Sequence, residues 1–376
     1  MRFKDVAGMH QEKERLRRMV DEGRIPHALL LHGKAGIGKM QLARALAQYI
    51  NCTNRTAEGD SCGECAACKQ TGNLNHPDVH FIYPIVKHGN SSAVSLDYIE
   101  EWREMLSKYP YMQREKWQEL IQAGNSQPQI QVTEAMEIIR QSSLSSYSAK
   151  YKIFIVWQPE KMNLETANKL LKMIEEPYED TLFIMVSNEE NNLIPTVRSR
   201  LQGVKINGQS EKEISEWLIR KYGIDPVEAA NIARIVDGDI AKAEELCEFK
   251  GEISDFPNLF IETTRTAYSK NVSGIKNLAE KFAGFGREKS MRLLQYFNRM
   301  VRENFIYNLH VDSLTAMTKD EEAFSKKFSP FISYHNIEKI SEAIDKAISD
   351  IGRNANQKIV WFDFILQLMI YLRLKK

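Results

Sequence analysis

The stretch HGKAGIGKM, residues 32–40, contains the first side chains whose types and spacing could do chemistry. Gly33, Gly38 and Lys39 satisfy the glycine and lysine positions of the phosphate-binding pattern G-x-x-x-x-G-K-[ST], and Gly36 lies within the loop between them. Such glycines let backbone N–H groups face phosphates at a helix N-terminus, and the lysine neutralises the β- and γ-phosphates. The following position should carry a hydroxyl for magnesium, but it is Met40. Magnesium also needs an acidic residue at the end of a second strand. The candidate strand at 153–156 runs instead into Trp157-Gln158-Pro159-Glu160. Trp157 cannot hold a metal, Gln158 cannot act as a base for water, and Glu160 lies past the expected position. The loop predicts a cradle shaped for a nucleotide, with ATP or ADP binding left open and no magnesium chemistry.

A second constellation is Cys52, Cys62, Cys65 and Cys68, spaced C-x9-C-x2-C-x2-C. Four thiolates suit a tetrahedral zinc ion and leave no open position for water, so the expected role is structural. The bland alternative is four reduced, unliganded thiols. A redox C-x-x-C role is disfavoured, because the cluster does not open a helix after a strand. Cys247 stands alone in a helical run and is expected in a core.

The elements that would position these groups alternate between strand and helix. Apolar runs at 28–31, 79–83, 153–156, 182–186 and 204–206 read as strands, and helical patterns lie between them. Alternation of this kind predicts an α/β fold with a parallel sheet and crossover helices. A helix starts at Lys39. Another is capped by Asn163, is stopped by Pro177, and places Leu164, Ala167, Leu171 and Ile174 on one face. Residues 85–128, with Trp102, Tyr109, Tyr111 and Trp117 among many charges, read as an irregular insertion of no assigned role. After Gly208 the strands cease. Ser210 caps a short helix that ends at Gly223, and long helical patterns run from about 253 to Lys376. On one of these, Arg287, Arg292, Arg299 and Arg302 are expected on a solvated face opposite Leu294, Phe297 and Val301.

At 376 residues the chain is long enough for two or three domains. The 51 Lys+Arg and 50 Asp+Glu nearly cancel, which excludes a chain-wide basic field for gripping nucleic acid. No apolar run approaches a membrane span, and residues 1–5 lack the apolar core of a signal peptide. The expectation is a cytoplasmic protein with reduced cysteines.

Taken in order, "PHALLLHGKAGIGK", the four-cysteine module, "NHPDVHFIYP", "NKLLKMIEEP" and "TVRSRLQ" resemble the delta-prime clamp-loader family of bacterial DNA polymerase III, which are AAA+ proteins. The resemblance covers about residues 3–245. It implies an AAA+ core at 1–208 carrying the zinc module (52–68) and the insertion (85–128). A helical lid at 209–252 and an all-α collar at 253–376 would follow. It implies a non-hydrolysing member of a hetero-oligomeric ring, made with motor ATPase and delta subunits, that helps load the sliding clamp onto primer-template DNA. The family's Ser-Arg-Cys motif reads Ser199-Arg200-Leu201 here, so the resemblance makes Arg200 an arginine finger acting on a neighbour's ATP. It also places Asn188 at a first γ-phosphate sensor, and Ala241 where motor subunits carry a second-sensor arginine. Two rival readings are an active AAA+ ATPase recruiting Glu160 or Glu175 for the metal, and a stand-alone zinc-dependent nucleic-acid module.

Overall fold

The computed structural model describes residues 1–87, 93–124, 126–310 and 315–374. Residues 88–92 and 125 of the predicted insertion lie outside the described residues. The chain divides into two compact units, Met1–Glu244 and Glu245–Lys376.

The first unit is built on five parallel strands: β1 (Ala28–His32), β2 (Val79–Ile82), β3 (Lys152–Trp157), β4 (Thr181–Ser187) and β5 (Gln202–Lys205), in the spatial order β2-β3-β4-β1-β5. Parallel strands need crossover connections, so helices cover the sheet and the strands read as continuous apolar runs. The register aligns Trp157 of β3 with Val186 of β4, and Ser187 of β4 with His32 of β1. The carboxyl ends of these three strands therefore lie side by side, where open α/β sheets bind ligands. The fifth strand starts two residues earlier than its apolar run at 204–206, because the edge ladder with β1 includes the exposed Gln202 and Gly203.

Nine described helices of this unit set the site: α1 (His10–Asp21), α2 (Lys39–Ile50), α3 (Ala66–Gly72), α4 (Ile99–Lys108), α5 (Arg114–Leu120), α6 (Val132–Ser143), α7 (Leu164–Glu175), α8 (Pro195–Arg198) and α9 (Glu211–Tyr222). Asn163 caps α7, its side chain accepting from the Thr166 amide. The buried stripe of α7 is Thr166, Ala167, Leu170, Met173 and Ile174; Ala167 and Ile174 lie on it as predicted, while Leu171 is only half-buried. Leu164, at the first helical position beside the exposed cap, is 64% exposed. Ser210 and Glu213 form the predicted capping box of α9, and Gly223 ends it in the left-handed region. Two more helices follow, α10 (Pro226–Ile235) and α11 (Ile240–Glu248).

The predicted irregular insertion is a folded part of the sheet domain. Trp102, Met105 and Leu106 of α4 and Trp117 of α5 belong to the same core as β1 and α2. The helical spacing of Trp102, Met105 and Leu106 in α4 was present in the sequence, although charged residues surround it.

The second unit is helical: α12 (Lys250–Ile253), α13 (Phe256–Tyr268), α14 (Val272–Ala283), α15 (Arg287–Tyr307), α16 (Lys319–Phe328), α17 (Ile337–Gly352) and α18 (Gln357–Tyr371). Its separate core includes Phe260, Phe297, Ile344, Trp361 and Ile365, with Leu294 and Val301 buried as predicted. The solvated-face expectation fails at Arg299. That guanidinium pairs with the buried Glu321 of α16 and donates to Ala316 O at 3.0 Å, because α16 folds over this part of α15. Cys247 is half-buried rather than in the core. Among the described residues no helix is long and apolar enough to cross a membrane.

Candidate nucleotide cradle and cysteine cluster

The loop between β1 and α2 has the geometry its glycines promised. Gly33 and Gly36 have φ of 154° and 75°. A Cβ at Gly33 would lie 2.2 Å from the Ile206 carbonyl oxygen, and one at Gly36 would lie 2.2 Å from Asp239 Oδ1. Gly33 requires glycine for space as well as for backbone conformation, whereas Gly36 requires it for its positive φ, since the Asp239 carboxylate could turn aside. Lys39 is buried, and its Nζ turns back onto the loop, donating to Gly33 O at 2.9 Å and to Lys34 O. Burial lowers its pKa to about 8, opposed by the carboxylates of Glu160 and Asp239. The ammonium is held by two carbonyls of its own loop.

The metal side of the cradle has become core. Met40 is 2% exposed and packs in the apolar cluster beneath the loop. Trp157, where the metal-binding acid would stand, sits in an aromatic group with the insertion's Trp102 and Trp117, at ring distances of 5.6 and 6.3 Å. Tyr83 stacks on Trp102 at 4.0 Å, and Trp117 Nε1 donates to Pro84 O at 2.7 Å. Edge-to-face and offset pairs of this kind contribute beyond the area they bury. Glu160 is the one carboxylate of the β3 end near Lys39. Its Oε1 accepts from the Asn188 amide at 3.4 Å, its Oε2 has no hydrogen-bond partner, and burial raises its pKa.

Sequence reasoning missed what covers the cradle. Gln209 Nε2 donates to Ile37 O at 2.7 Å, and the Ala241 amide donates to Gly36 O at 3.1 Å. Asp239 lies on Gly36, and Tyr111 of the insertion lies against Gly38. The segment after β5 is thus hydrogen-bonded directly to the phosphate loop. A backbone N–H contact leaves no trace in residue type.

The four cysteines are brought together as predicted. Cys52 follows α2, Cys62 lies in the loop, Cys65 is the N-cap of α3, and Cys68 lies within α3. All four Sγ atoms fall within 4.8 Å of one another. The Cys52–Cys62 and Cys62–Cys68 separations are 3.7 and 3.8 Å. A tetrahedron with metal–sulfur bonds of about 2.3 Å has edges of about 3.8 Å, so these residues fit a bound metal ion. Backbone N–H groups of Cys62 and Cys65 point at Cys52 Sγ and Cys62 Sγ, both at 3.3 Å. Burial pushes the Cys52 and Cys68 thiols up. At Cys65 burial acts in the same direction but is outweighed by donors from Thr53 and Cys68, which bring it down to about 6. A cation would resolve that conflict by holding every sulfur as thiolate.

Arg200 lies exposed on the turn between α8 and β5, away from this chain's own cradle in sequence order, and pairs with Glu175. Asn188 directly follows β4 beside Glu160.

The family described as "DNA polymerase III, delta subunit" matches residues 8–210. The "DNA polymerase III subunit delta'" of Bacillus subtilis is 26% identical over 227 residues, 60% of this chain and 55% of that one. The protein of the same name from Pseudomonas aeruginosa is 29% identical over 205 residues, 54% of this chain and 50% of that one. The chain belongs to the delta-prime family of DNA polymerase III subunits. The match spans only about half the length of these two delta-prime relatives. A "DNA polymerase III subunit gamma" from Buchnera aphidicola is also similar, at 26% over 251 residues, 65% of this chain and 58% of that one. Among solved structures, a gamma subunit-related protein of Thermotoga maritima aligns over 96% of this chain and 99% of its own, with a TM-score of 0.44 and 15% identity. With five parallel strands, the glycine loop and the helices that follow, the fold is the AAA+ arrangement expected for the delta-prime family.

Proposed function

We propose that this chain is a non-hydrolysing clamp-loader subunit of DNA polymerase III. In this reading residues 1–208 form the AAA+ core, 209–252 the lid, and 253–376 a collar that packs with equivalent helices of motor ATPase and delta subunits. The ring would act on a sliding clamp and primer-template DNA in the cytoplasm. The four cysteines would hold one structural zinc ion that stabilises the 52–68 module. Arg200 would reach a neighbour's ATP and stabilise charge on its γ-phosphate.

The observation that carries this reading is Trp157. The position for a metal-binding carboxylate is filled by an indole locked against two more indoles, and Met40 removes the hydroxyl. Neither change leaves an oxygen ligand for magnesium, and magnesium binds through oxygen. In a loader reconstituted with its motor subunits, Arg200→Ala is expected to lower ATP turnover about tenfold or more. Unchanged turnover would remove the finger role.

The rival reading of an active ATPase draws on Glu160, whose carboxylate faces Lys39. It predicts ATP turnover by the isolated chain that Lys39→Ala abolishes. The reading proposed here predicts none.

A further inference from the structure

Glu175 is the last residue of α7, and Glu176 is its C-cap. Acidic side chains at a helix C-terminus stand against the negative end of the macrodipole and the unpaired carbonyls there. Real sequences break a local rule where a site requires it. Here the turn between α8 and β5 lays Arg200 against that acidic end. Arg200 Nε donates to Glu175 Oε1, while Nη1 donates to Thr196 O at 2.7 Å and to Ser199 Oγ at 3.4 Å. Nη2 takes part in none of these bonds. The guanidinium is planar and rigid, so fixing Nε and Nη1 fixes the direction of Nη2.

We propose that Glu175 is a positioning residue for Arg200, holding its fork so that Nη2 is presented to an anionic phosphate on a neighbouring subunit. This rests on the reading that Arg200 acts in trans. Glu175 engages Nε alone. A carboxylate that sequestered the finger would take two guanidinium nitrogens in the bidentate fashion that phosphate also uses, and Glu175 leaves Nη2 out of its bond. An arginine whose rotamer is already chosen loses less freedom on meeting its target, and the benefit appears in the turnover step rather than in nucleotide affinity.

The test uses the full-length chain reconstituted with its motor ATPase subunits, reading kcat and KM for ATP. Glu175→Ala is expected to lower kcat about threefold to tenfold with KM unchanged, the scale of a misplaced catalytic group. Glu175→Gln keeps an acceptor for Nε and is expected to recover most of that loss. In an Arg200→Ala background, Glu175→Ala is expected to do nothing further, because coupled residues are not additive. Three results would overturn the inference. If Glu175→Ala keeps full kcat while Arg200→Ala does not, the finger stands and the positioning role falls. If Glu175→Ala raises kcat, the carboxylate restrains the finger instead. If Arg200→Ala itself changes nothing, the finger reading falls first and this inference with it.

Discussion

Trp157 illustrates how one residue can decide a site. It is 1% exposed and touches the rings of both insertion tryptophans. Removing such a ring leaves a cavity that the neighbours fill only partly, so Trp157→Ala is expected to cost about 3–5 kcal/mol in chemical denaturation. Trp157→Asp should restore no magnesium-dependent turnover, since it places an unpaired carboxylate among indoles. A second residue prediction concerns Glu134, whose pKa burial raises to about 7 although its Oε2 accepts the Ser95 amide at 2.5 Å. A carboxyl raised above its unfolded value favours the folded state below the unfolded value of 4.5, and that advantage is lost as pH rises through about 7. Glu134→Gln should therefore raise the melting temperature at pH 8 and leave it nearly unchanged at pH 4.5. A shift of equal size at both values would refute the assignment.

At the scale of elements, α4 and α5 turn a stretch of unassigned sequence into part of the core. Trp102 and Trp117 pack edge to face at 5.3 Å. Each alanine substitution should cost about 3–5 kcal/mol, and the double variant less than their sum, because contacting residues share one cavity. Additive losses in urea titrations would mean that the two rings act separately. The contrast with the rest of the fold shows what a sequence displays. The strands announced themselves, since a parallel sheet buried on both faces must be a run of apolar residues. The glycine loop and the four cysteines were legible for a similar reason: each depends on residue type at short spacing. Asp239 on Gly36, and Glu175 under Arg200, were not. Those pairs are separated by 203 and 25 positions (239 − 36 and 200 − 175), and nothing local marks them. The face of α7 was read correctly at Ala167 and Ile174 but not at Leu164, which is apolar yet exposed beside the cap.

For the whole molecule, the cysteine module is expected to act as a staple. The chain should carry about one zinc ion by elemental analysis, and Cys62→Ser or chelation should lower the melting temperature, since metal binding is coupled to folding. Absence of zinc from protein purified without chelators would count against a metal centre. Asp60, inside the module, also accepts the Phe3 and Lys4 amides at 3.0 Å, so loosening should spread to the amino-terminal segment and appear there as faster amide exchange. The aromatic seat of Trp157 has a historical consequence. A descendant acquiring an aspartate there would forfeit core packing without completing a set of oxygen ligands, because Met40 carries no hydroxyl. A magnesium site at this loop therefore demands replacements at both positions together, and each of them removes a buried apolar side chain.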